Sequence, residues 1–190
     1  ECRTSMVAAG FCEAMSYSFI GERPARSVDF DPALQPRVAN PLTLEQTVMR
    51  PRLLPGVLES VGLNQKQGEQ AIALFEIGKA WAPGAACGRI QDERHELAIA
   101  LAGPAPVEWT APARFYDYYD LKGVVESLLT RWSASPLSVK PLTDSPVYHP
   151  GRSGSLHWQG RAIGELGEIH PDLAGDFDLR EGGAVMLGEK

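Results

Sequence analysis

No stretch of this sequence stays apolar for the ~20 residues that a membrane-spanning helix needs, so no membrane role is expected. The opening residues, Glu1 to Phe11, lack the basic start and long apolar segment of a secretory signal. Cysteine is scarce: Cys2, Cys12 and Cys87 are the 3 in the chain, an odd number with no CxxC pair. That excludes a disulfide frame and fits a reduced, cytosolic setting. Basic residues are the minority, 18 against 24 acidic for a net charge of −6, and they are scattered. A large autonomous nucleic-acid surface needs clustered Lys and Arg; a place inside a larger RNA-binding assembly does not. Walker, Rossmann and G-x-S-x-G fingerprints are missing. So are internal repeats, low-complexity tracts and strong linkers, and one domain over residues 1–190 is expected.

What is present is an ordinary globular composition, 190 residues with 44% hydrophobic and 22% charged. A chain of this size buries roughly 70% of its unfolded surface, so a true core is expected. Thr4–Met15 reads as a short helix and Ser16–Ile20 as a strand, with "GERPARS" as a polar loop after it. Leu53, Leu54, Val57, Leu58 and Val61 form a helical stripe, which predicts a helix over Leu53–Lys66 with Pro55 in its first turn. Ala71–Trp81 and His95–Gly103 read as paired strands. Tyr118, Leu121, Val125, Leu128, Leu129 and Trp132 mark the clearest helix, with Asp117 or Asp120 at its N-terminal turn. Leu137–Leu142 is a short strand. Ser155–Trp158 and Ala162–Ile169 form a hairpin turning at Gln159-Gly160, Pro171 opens a short helix, and Ala184–Leu187 is a last strand. Sequential strands with short connections imply an α+β fold, a mainly antiparallel sheet flanked by helices.

The most site-like stretch is "HPGRSGSLHWQGRAIGELGEIHP", residues 149–171. Its histidines, with His95, show no i, i+3 or i+4 spacing and no cysteine neighbour, so no metal site is read. "GRSG" (Gly151–Gly154) would need a following helix to cradle phosphate; a strand-like "SLHW" follows, so it reads as a glycine turn. Glu165 and Glu168 lie three apart on a strand and face opposite sides, a poor pair for acid–base work. Ser153 and Ser155 lack a nucleophile context. Glu76, in the strand "FEIGKAW", is a substrate ligand or simply faces outward. On the residues alone the chain is an α+β domain without an autonomous active site.

Five segments in order, "GFCEAMSYSFI", "NPLTLEQTVMRPRLLPGVLESVGLNQKQG", "LFEIGKAW", "YYDLKGVVESLL" and "HPGRSGSLHWQGRAIGELGEIHPDL", resemble the beta chains of bacterial phenylalanine–tRNA ligases and span nearly the whole sequence. The resemblance implies a class II synthetase-like core. It implies that an alpha chain holds ATP and phenylalanine, while this module serves as non-catalytic scaffold and subunit interface in a cytoplasmic (αβ)₂ enzyme. It assigns no cofactor to this domain; ATP and magnesium, like tRNA, belong to the whole enzyme. The chain covers part of such a subunit and reads as an excised domain.

Class II catalysis holds ATP phosphates with arginines, whose planar fork binds phosphate bidentately. Here "FEIGKAW" offers Lys79, then Ala80 and Trp81, with no arginine before Arg89, and Gly182-Gly183 has no arginine after it. Pro51-Arg52 and "GKAW" depart from the usual family pattern. No catalytic residue and no metal ligand is therefore assigned. A vestigial ligand pocket would be lined by Glu76, His149, Arg152 and Glu168. A free-standing small-molecule (amino-acid-like) binding domain or enzyme reusing that pocket is the competing reading, and Arg152 is expected to be structural. The helix Leu53–Lys66 and the segment Asn40–Arg50 are the candidate partner surface on resemblance alone.

Overall fold

The computed structural model describes residues 1–82, 84, 93–107, 109, 110, 112–180 and 185–189, the last five by their backbone. Expectations placed on Cys87, Arg89, Gly182 and Gly183 lie outside these residues.

Helix α1 (Cys2–Ala8) is followed by strand β1 (Cys12–Glu13), β2 (Phe19–Ile20) and helix α2 (Glu22–Ser27). A 3-10 turn at Pro32–Leu34 and β3 (Val48–Met49) lead to helix α3 (Leu54–Lys66). Strands β4 (Ile72–Trp81) and β5 (Glu93–Ala102) precede helix α4 (Tyr118–Thr130). Then come β6 (Leu137–Pro141), β7 (Tyr148–Trp158), β8 (Arg161–Ile169), helix α5 (Pro171–Asp176) and β9 (Val185–Glu189).

The main sheet has seven strands in the order β1-β4-β5-β9-β8-β7-β6. Every pairing is antiparallel except β1 with β4. The two-residue strands β2 and β3 pair separately. Helices cover both faces, as the α+β reading requires. Strand β5 shows how the pleat sorts them: Ala98, Ala100 and Ala102 join Leu54, Val57, Leu58 and Val61 of α3 in one core. Ile99 and Leu101 join Met6 of α1 and Leu121, Val125 and Leu128 of α4 in the other. Fully burying one such Leu or Val side chain contributes about 1.5–3 kcal/mol.

Local departures have local causes. The expected Thr4–Met15 helix stops at Ala8 because Gly10 takes φ +90° and Cys12–Glu13 pair with Leu74–Phe75 instead. "GERPARS" is helix α2 and not a loop. Pro24 falls in its first turn, where a backbone N–H has no helical partner to lose. The "GRSG" stretch is not a turn: it lies inside β7. The register shifts between Tyr148↔Ile169 and Ser153↔Gly167, so Pro150 sits in a bulge where its missing N–H breaks no ladder bond. The hairpin turn is at Gln159-Gly160 as expected, with φ +49° and +77°, the paired positive values of a type I′ turn.

Candidate functional site

The face of the sheet under α3 carries a buried charge cluster. Strand pleating turns Glu76, Gly78 and Ala80 of β4 to this side, opposite to Phe75 and Ile77. Glu76 is 3% exposed and Arg50 is 3% exposed, so neither carries its charge in water. They meet directly, Arg50 Nη1 donating to Glu76 Oε1 at 2.6 Å. Arg50 Nη1 also donates to Ser16 Oγ at 2.8 Å, and Ser16 Oγ donates to Glu76 Oε2 at 2.7 Å. Arg50 Nε donates to the carbonyl of Lys79 at 2.8 Å. Its own N–H donates to Ser18 O, and its carbonyl accepts from Trp81 N–H. One arginine thus ties the 16–18 segment, its own segment and β4 together. Gly78 makes room for it: a Cβ there would lie 2.4 Å from Arg50 Nη2.

Two more arginines on this side are engaged in the same manner. Arg94 Nη2 lies 2.9 Å from Glu96 Oε1 and donates to Pro51 O at 2.8 Å. Arg52 Nη2 lies 3.6 Å from Glu165 Oε2 of β8. Glu96 is directly across the ladder from Gly78. It is 5% exposed, and its Oε2 has no hydrogen-bond partner among the described residues.

The opposite face holds a cleft of about 510 Å³ where β7 and β8 pass the start of α4. Tyr116, Asp117, Tyr118, Tyr119, Gly151, Arg152, Ser153 and Glu168 line it. Asp117 caps α4: its Oδ1 accepts from Tyr119 N–H at 2.7 Å and Asp120 N–H at 3.2 Å, while Asp120 Oδ2 accepts from Asp117 N–H at 2.8 Å. This reciprocal box places the tyrosines. Arg114 grips Asp120 with both terminal nitrogens, at 2.6 and 2.7 Å. That hydrogen bonding holds the Asp120 carboxyl below the usual aspartate range. Burial pushes the Tyr116 and Tyr118 phenols up, so both stay protonated at neutral pH. Arg152 Nη1 donates to Glu168 Oε2 at 2.6 Å.

Of the four residues expected to share one pocket, Arg152 and Glu168 line this cleft. Glu76 does not point to solvent and lies on the other face beneath Arg50. His149 turns back on its own bulge, its Nδ1 accepting the Gly151 N–H at 3.1 Å. His170 caps α5 by accepting the Asp172 N–H at 3.3 Å, and His157 Nε2 meets Ser155 Oγ at 3.2 Å. The carboxylates of Glu165 and Glu168 do part to opposite faces, one toward Arg52 and one toward Arg152. No grouping of three metal-ligating side chains occurs among the described residues, and none of their helices is long and apolar enough to cross a membrane.

Sequence reasoning missed the buried pairing of Arg50, placed only at the end of the candidate partner segment Asn40–Arg50, and the cluster of Tyr116, Tyr118 and Tyr119 at the start of α4. One face of helix α3 is core, with Leu54, Val57, Leu58 and Val61 fully buried, while Leu63 on the same helix is 59% exposed. Of the segment Asn40–Arg50, the first half faces solvent, with Leu42 91% and Leu44 90% exposed, whereas Thr47, Val48 and Arg50 are buried.

The comparisons agree with this architecture. The fold resembles that of a pyrrolysyl tRNA synthetase from Desulfitobacterium hafniense, with a TM-score of 0.71 over 98% of this chain and 60% of that one, at 13% identity. The phenylalanine–tRNA ligase beta subunit of Moorella thermoacetica is 36% identical over 182 residues, covering 93% of this chain and 22% of that subunit. The beta subunit of Xanthomonas axonopodis pv. citri is 36% identical over 178 residues, and that of Clostridium acetobutylicum 30% over 185. The chain spans about a fifth of the length of these relatives. A family model described as the phenylalanyl tRNA synthetase beta chain CLM domain matches residues 1–188, and the chain belongs to that family.

Proposed function

We propose that this domain is a non-catalytic scaffold and subunit-interface module of a phenylalanine–tRNA ligase. In this reading an alpha chain carries out the ATP- and magnesium-dependent attachment of phenylalanine to tRNA. The two chain types assemble as (αβ)₂ in the cytoplasm, and tRNA meets the whole enzyme. The carrying observation is the state of the arginines on the α3 side. Arg50, Arg52 and Arg94 are each paired with a carboxylate of this same chain, Glu76, Glu165 and Glu96. Arg50 spends Nε and Nη1 on Lys79 O, Ser16 and Glu76, and Arg94 spends Nε and Nη2 on Glu96 and Pro51 O, so neither has a fork left for a triphosphate, and the Glu165 carboxylate beside Arg52 opposes an anion there. Around them the space between α3 and the sheet is filled by hydrocarbon, Tyr148 included at 0% exposure.

The exposed Leu42 and Leu44 offer apolar surface that a partner chain would cover, which supports an interface role. The test is ATP–pyrophosphate exchange with phenylalanine. The 190-residue chain alone is expected to show none, and the alpha chain is expected to co-purify with it. Exchange by this chain alone would overturn the reading.

A further inference from the structure

The exposed coil of residues 41–46 carries charge as well as apolar surface. It is anchored by the backbone: Gln46 N–H donates to Thr43 O at 3.3 Å, and Thr47 N–H donates to Ile20 O at 3.1 Å. It also lies close on Gly21, the N-cap of α2, where a Cβ would be 3.4 Å from Glu45 Cα and 3.5 Å from Leu44 O. Leu42 and Leu44 are therefore presented to solvent by a seated turn, and a surface already ordered costs less to bind.

Beside the leucines two carboxylates meet. Glu59 stands on the exposed side of α3, one turn before the exposed Leu63. Partial desolvation, and then the negative charge of Glu45, push the Glu59 carboxyl above the usual glutamate range. Neither carboxylate takes a hydrogen bond or an ion pair among the described residues. The arginines of α2 and of the 35–38 segment are engaged elsewhere, Arg26 and Arg37 with Glu22 and Arg23 with Asp176. Two like charges brought together without a cation cost stability, so the pair does not serve the fold. A positive group from outside the chain would relieve it. The same negative field repels a phosphate backbone, which points to a protein and not to RNA as the occupant.

We propose that this surface receives a lysine or arginine of the alpha chain. Its charged end sits between Glu45 and Glu59, and its hydrocarbon stem and apolar neighbours lie against Leu42, Leu44 and Leu63. The leucines supply the burial, and the acidic pair selects the partner and speeds the encounter. The inference rests on the scaffold reading and names the chemistry that the partner brings to it.

The probe is the phenylalanine–tRNA ligase alpha chain encoded in the same genome, mixed with this chain and followed by analytical ultracentrifugation at about 50 and about 500 mM NaCl. The double variant Glu45→Gln/Glu59→Gln leaves all three leucines in place. It is expected to weaken association about tenfold at low salt and to remove most of the salt dependence of the unmodified chain. Its melting temperature should stay the same or rise, because a like-charge contact is gone. Glu59→Lys, which sets like charges against each other across the interface, should weaken association more than Glu59→Gln. Glu69→Gln, at an exposed acid beyond the end of α3, should change nothing. Failure of the unmodified chain to associate at either salt concentration overturns the scaffold reading and this inference with it. Normal association of the unmodified chain overturns this inference alone if the double variant binds as tightly, keeps the same salt dependence or melts lower in step with its lost binding, if Glu59→Lys binds as well as Glu59→Gln, or if Glu69→Gln weakens binding equally.

Discussion

Arg50 Nη1 lies 2.6 Å from Glu76 Oε1, with the two side chains 4% and 3% exposed. Two opposite charges have been taken out of water together, and neither is tolerable there alone. Glu76→Gln strands a buried guanidinium and should destabilise the fold by about 3–5 kcal/mol in urea unfolding. Arg50→Met should cost a similar amount, whereas the double variant Arg50→Met/Glu76→Leu should recover much of the loss. A double variant as unstable as the sum of the two single ones would contradict this account.

Gly78 exists to admit that guanidinium. Gly78→Ala places a methyl 2.4 Å from the present position of Arg50 Nη2. Overpacking of this kind costs about 1–3 kcal/mol. The loss should shrink in the Arg50→Met background, where the blocking nitrogens are gone; an unchanged loss there would assign the glycine another role.

The bidentate Arg114–Asp120 pair predicts an acid limb to stability. Asp120 has a folded-state pKa below its unfolded value of about 3.9. Its contribution is therefore present above that unfolded value and lost as pH falls through the lower folded one. Asp120→Asn should lower the melting temperature at pH 6 and flatten the decline below pH 4. A parallel displacement of the whole pH–stability curve would show that the charge is not what matters.

Leu42 and Leu44 are almost wholly in water, 91% and 90% exposed. Leu42→Asp with Leu44→Asp should leave the unfolding free energy of the chain within about 0.5 kcal/mol. The same pair of changes should weaken association with an alpha chain, measured by analytical ultracentrifugation of the mixed subunits. Unaltered association would move the interface elsewhere.

Leu58, fully buried between α3 and the alanines of β5, gives the reference for core strength. Leu58→Ala should cost about 2–5 kcal/mol in the same urea experiment. A loss under about 1 kcal/mol would mean that α3 is not packed as described.

Much of the fold was legible because burial leaves a period in the sequence. The two-residue alternation of β5, alanines to one side and Ile99 and Leu101 to the other, sorts into two cores. The stripe through Leu121, Val125 and Leu128 is the buried line of α4. The Pro55 and Pro171 helix starts and the Gln159-Gly160 turn were readable because each rests on one residue's own backbone geometry. Helix α2 was hidden by a proline whose tolerance depends on where the helix starts. The "GRSG" stretch looked like a turn because glycine and proline punctuate turns more often than they occupy bulges.

The sequence by itself determined most of the local elements, the α+β class and, through five ordered segments, the family. It did so because dihedral preference and hydrophobic spacing act between near neighbours. Which polar residues meet was decided only by tertiary structure. Arg50 and Glu76 are separated by the whole of α3, and Arg152 faces Glu168 only because β7 and β8 pair across their bulged register. Glu76 and Arg152 ended on opposite faces of one sheet, a separation set by the pleat and the strand order that no motif spacing encodes.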